Sequence, residues 1–154
     1  MNATTTQATG LQGAKRRVVF VALYELIAIA VSSLLFMAIG QGAGASGAMA
    51  VAASVIAIVW NVSFNTLFEK WEARQRVKGR SVLRRVVHAV GFEGGLALVL
   101  IPLMAWWFGV GLWEATLMEA GLLLFFLVYT YVFNWSFDRV FGLPASAQAV
   151  AVAS

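Results

Sequence analysis

Two glutamates, Glu25 and Glu93, interrupt long runs of apolar residues, and their side chains are the ones best placed to do chemistry. A charge at the middle of a bilayer costs about 2.5–3.5 kcal/mol even on insertion scales, so such a residue usually has a function. Burial favours the protonated carboxyl group, whereas a bound cation favours the ionised form. Each glutamate is therefore a candidate to exchange a proton for a cationic substrate. The structural alternative is a neutral glutamic acid that donates a hydrogen bond between helices.

Four apolar segments carry these residues and predict the fold class. They are Val18–Ile39, Ala48–Phe68, Val86–Phe108 and Ala115–Phe137, and each can cross a hydrocarbon core of about 30 Å as a helix. Lipid offers the backbone no hydrogen-bonding partner, so each segment must be helical. The sequence therefore predicts an all-α integral membrane protein with four transmembrane helices. The outer connections are predicted to be short turns, at Gly40–Gly47 and Gly109–Glu114.

Composition excludes several classes of function. Of the 154 residues, 61% are hydrophobic and only 12% are charged, whereas a soluble domain has about 25% charged residues. The chain has no cysteine, so it can form no disulfide, thiolate nucleophile or iron–sulfur cluster. Its single histidine, His88, cannot build a multi-histidine metal site. We therefore expect neither a cofactor nor enzymatic activity.

The positive charges predict the orientation of the helices. All 11 Lys and Arg residues fall on one side of the predicted topology: Lys15, Arg16, Arg17, Lys70, Arg74, Arg76, Lys78, Arg80, Arg84, Arg85 and Arg139. The positive-inside rule then places both termini and the central loop in the cytoplasm. The net charge of +4 thus reflects topology and not binding to nucleic acid. Residues 1–14 and 142–154 are predicted to be flexible tails.

The two helical hairpins are predicted to be repeats, over residues 15–78 and 79–141. Arg17-Val-Val-Phe20 with Tyr24-Glu25 matches Arg85-Val-Val-His88 with Phe92-Glu93 at an offset of 68 residues. A stripe on the second helix matches one on the fourth at an offset of 69. It pairs Trp60, Asn61, Phe64, Asn65, Phe68 and Glu69 with Tyr129, Thr130, Phe133, Asn134, Phe137 and Asp138. Both hairpins cross in the same direction, so we expect a pseudo-two-fold axis along the membrane normal.

A substrate site is predicted at the level of the glutamates, about 12 Å from the cytoplasmic boundary. Aromatic rings would form walls for a cation and amides would supply polar contacts. The predicted lining residues are Trp60, Asn61, Phe64, Asn65, Tyr129 and Asn134. The alternative is that the aromatic rings pack within the bundle while the amides hold the helices together.

Further polar residues are predicted to serve proton transfer or contacts at the membrane rim. His88 is either a proton relay or a hydrogen-bonding residue at the interface, and Glu119 is a second candidate for proton entry from outside. Arg17, Arg85, Glu69 and Asp138 share one depth, which favours ion pairs across the cytoplasmic rim.

Close helix packing is predicted around Glu93. The glycine spacing Gly91-Phe92-Glu93-Gly94-Gly95 permits another helix to approach closely. The approach is equally compatible with a Glu25/Glu93 pair within one chain and with a homodimer.

These motifs resemble those of the proteobacterial antimicrobial compound efflux (PACE) family, whose members contain two bacterial transmembrane pair domains. The resemblance rests on Arg85-Val-Val-His88-Ala89-Val90-Gly91-Phe92-Glu93-Gly94-Gly95 and Trp60-Asn61-x-x-Phe64-Asn65-x-x-Phe68-Glu69. It implies a small inner-membrane exporter of cationic biocides such as chlorhexidine, driven by proton influx. Some members export short-chain diamines such as putrescine and cadaverine.

The family's essential glutamate falls on Glu25. The first repeat departs from the family pattern at Phe20, where histidine is usual, and at Leu26, where glycine is common.

The sequence therefore predicts a proton-coupled exporter of organic cations, with Glu25 exchanging proton for substrate and Glu93 assisting. One alternative is an oligomeric ion channel, because four helices enclose little space for a pore. Another is a membrane scaffold or sensor that transports nothing and contacts its partner through the basic central loop.

Overall fold

The computed structural model describes residues 10–75 and 82–144, which form four α-helices in chain order. These are α1 (Gly13–Ala38), α2 (Ala43–Ala73), α3 (Val82–Phe108) and α4 (Leu112–Phe141). All four are long and apolar enough to span a membrane. The described residues contain no strand, and the predicted all-α membrane fold class is confirmed.

Two of the predicted boundaries are wrong. The turn expected over Gly40–Gly47 is confined to residues 39–42, because α2 already begins at Ala43. Gly40 closes α1 in a left-handed conformation (φ +95°), and its N–H donates to the Met37 carbonyl at 3.0 Å. The following glycines are helical because Ser46 and Met49 are fully buried, and this packing outweighs the low helix propensity of glycine. The other turn is likewise shorter, since α4 begins at Leu112.

The chain divides into two compact units. Unit 1 comprises Met1–Ala28 and Leu124–Ser154, so that the first half of α1 packs with the second half of α4. Unit 2 comprises Ile29–Leu123 and holds the rest of α1, all of α2 and α3, and the beginning of α4.

Unit 2 has a closely packed core at one end. The fully buried side chains of Phe36, Ser46, Met49 and Met104 come from α1, α2 and α3. Ala115 of α4 is also fully buried in this unit. These small and flexible side chains allow the helix ends farthest from the charged residues to approach closely.

In unit 1 the chain segments beside the two helix ends are hydrogen-bonded to each other. The N–H of Leu11 donates to the Phe141 carbonyl at 3.1 Å, and the Gln12 amide donates to the Leu143 carbonyl at 3.0 Å. Residues 10–14 and 142–144 of the two predicted tails are therefore held at the ends of α1 and α4. The remaining parts of those tails, residues 1–9 and 145–154, lie outside the described residues, as do residues 76–81 of the central loop.

Most of the apolar surface of each helix points away from the rest of the chain. Between 6% and 11% of each most apolar window is buried within the protein. Lipid can cover such surface, whereas water would not tolerate it. The described Lys and Arg side chains occupy the beginnings of α1 and α3 and the ends of α2 and α4. Their cytoplasmic location stays a prediction.

Candidate functional site

The aromatic stripe of α4 packs against α1 in unit 1. The Phe20 ring lies edge-on to Phe133 and Phe137, with centroids 5.1 and 5.0 Å away, and Tyr24 lies edge-on to Phe133 at 5.2 Å. Phe133 and Phe137 are buried. Edge-to-face contacts at these distances are favourable because the positive edge of one ring meets the negative face of another.

The aromatic stripe of α2 packs against α3 in the same way in unit 2. The His88 ring lies edge-on to Phe64 and Phe68 at 5.3 and 4.7 Å, and Phe92 lies edge-on to Phe64 at 5.6 Å. Each contact corresponds to one in unit 1 at the offsets of 68 and 69 residues. Within α3, His88 and Phe92 stack at 6.3 Å and 7°, and within α1 Phe20 and Tyr24 stack at 6.2 Å and 9°. The sequence repeat is therefore also a repeat of side-chain contacts.

A pair of equivalent hydrogen bonds lies directly beside the two glutamates. In unit 1 the Tyr129 hydroxyl donates to the main-chain carbonyl of Tyr24 at 2.8 Å. In unit 2 the Trp60 indole N–H donates to the carbonyl of Phe92 at 2.9 Å. Tyr24 immediately precedes Glu25, and Phe92 immediately precedes Glu93. Donors of different chemistry thus reach the same main-chain position in the two repeats.

Glu25 and Glu93 occupy central positions in their helices. Glu25 lies midway along α1 and is half-buried, close enough to the Tyr129 hydroxyl for its charge to act there. Glu93 lies near the middle of α3, and its side chain is exposed at the surface of the chain. Ionisable residues at such depths generally face a water-filled cavity or a polar partner, because lipid solvates charge poorly.

Glu119 is a second carboxyl group in unit 2. It lies on α4 and is half-buried, and its Oε2 atom is buried without a hydrogen-bond partner. It is near enough to Glu93 for the two negative charges to repel each other. Within residues 10–75 and 82–144 no group of three acidic or histidine side chains could hold a metal ion.

The amide side chains follow the same repeat, with one difference. The Asn65 amide donates to the Asn61 carbonyl at 2.8 Å, and the Asn134 amide donates to the Thr130 carbonyl at 2.7 Å. His88 Nε2 lies 2.9 Å from the Asn65 amide oxygen, which accepts a hydrogen bond from it. Phe20 occupies the position equivalent to His88 and can make no such bond.

The predicted substrate contacts differ in exposure. Asn61 and Asn134 are exposed, whereas Trp60, Phe64, Asn65 and Tyr129 are half-buried against the neighbouring helix. Both interpretations made from the sequence therefore apply in part to the aromatic residues, which pack between helices and keep some free surface. Substrate contact by these six residues stays a prediction.

The rim ion pair in unit 1 involves a different arginine from the one expected. Arg16 bonds to Asp138 at 2.5 Å, donates to the Gly142 carbonyl, and lies over the Phe137 ring at 4.9 Å. Arg17 is exposed. The reason is helical geometry, because Arg16 is four residues from Phe20 and shares its face toward α4, whereas Arg17 is rotated by about 100°. The spacing Arg16–Phe20–Tyr24 contained this signal. Glu69 and Arg85 are both exposed at their helix ends.

Arg16 and Arg17 provide a matched test of this packing. Arg16→Ala removes an ion pair, a hydrogen bond and a cation–π contact, so we expect it to lower the free energy of unfolding by about 1–2 kcal/mol. Arg17→Ala should change it by less than about 0.5 kcal/mol. Unfolding of both variants in detergent micelles measures the difference, and equal losses would contradict the assignment.

The glycines around Glu93 accommodate aromatic rings from α2. A Cβ atom on Gly91 would lie 3.1 Å from Cζ of Phe64, and one on Gly95 would overlap the six-membered ring of Trp60. The glycine spacing therefore serves helix packing within unit 2. Leu23 and Ile27 hold the equivalent positions in α1, where the equivalent ring is the smaller Tyr129.

Comparison with protein families identifies the class. The model of the chlorhexidine efflux transporter family matches residues 12–74 and 80–143. The chain belongs to this family. The two matched segments are separated by the same 68 and 69 residues that relate the sequence repeats. The protein is thus a transporter of two tandem repeats, and it is a multi-pass protein of the bacterial inner membrane.

Several relatives of the transporter are known by a substrate class. It is 35% identical to the short-chain diamines transporter of Acinetobacter baylyi over 127 residues, which cover 82% of this chain and 89% of that protein. It is 37% identical to the short-chain diamines transporter of Vibrio parahaemolyticus over 125 residues, covering 80% and 89% respectively. The corresponding protein of Acinetobacter baumannii is 34% identical over 131 residues. No solved structure matches the transporter.

Proposed function

We propose that this transporter exports organic cations from the bacterial cytoplasm in exchange for protons. The observation that carries the proposal is the placement of Glu25 and Glu93 midway along α1 and α3, at equivalent positions of the repeat. Carboxyl groups at mid-membrane depth bind both protons and cations. The names of the family and the relatives supply the substrate classes, which are chlorhexidine and short-chain diamines.

Glu25 is the residue that exchanges a proton for the substrate. Its half-buried position disfavours a bare negative charge, so the carboxyl group holds a proton until a cation replaces it. A cation approaching from the cytoplasm displaces the proton by offering opposite charge. Protonation from the outside then removes the attraction and releases the cation there.

Glu93 assists, and Glu119 serves as the second site of proton entry. Since Glu119 and Glu93 repel each other, a proton bound at either stabilises the charge on the other. Two protons exchanged for one dication would be electroneutral. Each further proton moved inward would draw about 2.3 kcal/mol from a membrane potential of 100 mV.

The remaining predicted residues complete the proposal. Asn61 and Asn134 present exposed amides beside the aromatic stripes, which supports polar contact with an amine substrate. The lining set is Trp60, Asn61, Phe64, Asn65, Tyr129 and Asn134. Because His88 bonds to Asn65, it links the α3 segment to this set. The charged helix ends, with Arg17, Arg85, Glu69 and Asp138, face the cytoplasm.

A proton-flux assay with the full chain tests this function. The purified protein is reconstituted into liposomes that contain a pH-sensitive dye, a pH gradient is imposed, and cadaverine or chlorhexidine is added. We expect saturable proton movement that each cation triggers. Ion conductance without saturation would indicate a channel instead. No response from folded protein to a broad panel of cations would indicate a scaffold or sensor.

A further inference from the structure

The two hydrogen bonds beside the glutamates have a feature that packing alone does not require. Tyr129 and Trp60 differ in size, donor atom and ring shape, yet both donate to the carbonyl one residue before a glutamate. The neighbouring rings differ as well, with Leu23 and Ile27 below Tyr129's repeat position and Gly91 and Gly95 below that of Trp60. The geometry is kept although the residues that produce it are not.

Such a bond acts on the helix segment that carries the carboxyl group. Inside an α-helix the carbonyl already accepts the N–H four residues later, so the aromatic donor uses its second lone pair. The bond fixes the rotation of α1 against α4 at Glu25, and that of α3 against α2 at Glu93. A side chain one residue away moves with any change in that rotation.

We propose that Trp60 and Tyr129 are positioning residues that hold Glu93 and Glu25 in the orientation needed for proton exchange. This role rests on the proposed function, and it takes the place of the direct substrate contact predicted for these two residues. The rings contact the neighbouring helix, and their polar atoms point to its backbone. Substrate contact is left to the exposed amides Asn61 and Asn134.

The size of each ring is matched to the helix that it faces. The six-membered ring of Trp60 fills the space that a Cβ atom on Gly95 would need. In the other repeat the smaller Tyr129 is combined with Ile27 at the equivalent position. A tyrosine at position 60 should therefore keep the hydrogen bond and tolerate a larger residue at position 95.

Conservative variants in the proton-flux assay separate positioning from substrate contact. Trp60→Phe and Tyr129→Phe remove the donor and keep an aromatic ring. We expect the maximal rate per folded protein to fall about three- to tenfold, the equivalent of one lost hydrogen bond, while the KM for cadaverine changes less than about twofold. Trp60→Tyr should keep most of the rate. Trp107→Phe is the matched control, because Trp107 donates to the Ala45 carbonyl at 3.1 Å with no glutamate beside it.

A second set of variants guards against simple misfolding. Gly95→Ala should displace the indole ring and lower the rate, and Gly95→Ala combined with Trp60→Tyr should recover it, whereas the combination with Trp60→Phe should not. The pH of half-maximal proton exchange should shift in Trp60→Phe and Tyr129→Phe but not in Trp107→Phe. The titratable neighbours involved are Tyr24 and Tyr129 for Glu25, and Glu119 for Glu93.

The outcomes are distinct. A raised KM with an unchanged maximal rate would overturn positioning in favour of substrate contact. Lower stability with unchanged rate, KM and pH profile would reduce the bonds to structural ones and also overturn it. Either result leaves cation-triggered proton movement in the unsubstituted protein intact, whereas failure of the proposed function would remove that movement as well.

Discussion

Glu25→Gln is expected to abolish cation-triggered proton movement while leaving the transporter folded. Glutamine has nearly the same volume and keeps hydrogen-bonding capacity, but it can neither bind a transferable proton nor carry negative charge. Because Glu25 lies at mid-membrane depth, no water-exposed group can take over its role at the same place. We expect at least a hundredfold loss, that is about 2.7 kcal/mol or more. Liposome proton flux with cadaverine measures it.

Glu114→Gln is the matched control for this substitution. Glu114 lies in the exposed first turn of α4 and loses the same charge without touching the proposed mechanism. We expect wild-type flux from this variant, and a partial loss from Glu93→Gln because Glu93 assists. Undiminished flux from Glu25→Gln, in protein that elutes as a folded species, would contradict the exchange mechanism.

Phe133→Ala is expected to have the largest effect on stability. Phe133 is 9% exposed, and its ring contacts Phe20, Tyr24, Tyr129 and Phe137 across and along the α1/α4 contact. Removing a buried phenylalanine ring leaves a cavity and deletes these contacts, which typically costs about 3–5 kcal/mol. We expect the free energy of unfolding in micelles to fall by about 3 kcal/mol.

Leu127→Ala is the comparison for that measurement. Leu127 lies on the same helix and is 72% exposed, so its side chain faces detergent or lipid in both variants. Since apolar surroundings replace the lost contacts, we expect a change below about 0.5 kcal/mol. A loss of similar size in the two variants would show that the aromatic cluster does not hold α1 against α4.

The four helices could be predicted from the sequence because a membrane leaves the backbone one choice. Apolar segments of sufficient length must form helices, so Val18–Ile39 and its three counterparts each fall within a helix. Their ends were less predictable. Helices continue past the apolar region wherever nothing stops them, and α2 begins within a glycine-rich stretch because Ser46 and Met49 are buried there.

The repeat and the candidate site were also largely visible in the sequence. The offsets of 68 and 69 residues identified the equivalent pairs, and the structure places Phe20 and His88, or Tyr24 and Phe92, in equivalent ring contacts. The choice of Arg16 over Arg17 as the partner of Asp138 was missed. One residue changes the direction of a side chain by about 100°, so a partner depends on helix rotation and not on depth.

The sequence by itself determined the membrane class, the four spans, the internal repeat and the depth of Glu25 and Glu93, because these follow from hydropathy and spacing along one chain. Only the tertiary structure decided that Tyr129 and Trp60 bond to the carbonyls before those glutamates, and that Gly91 and Gly95 receive rings from α2. Such contacts depend on how two helices are rotated against each other. That rotation is set by the joint packing of many side chains and is encoded in no single motif.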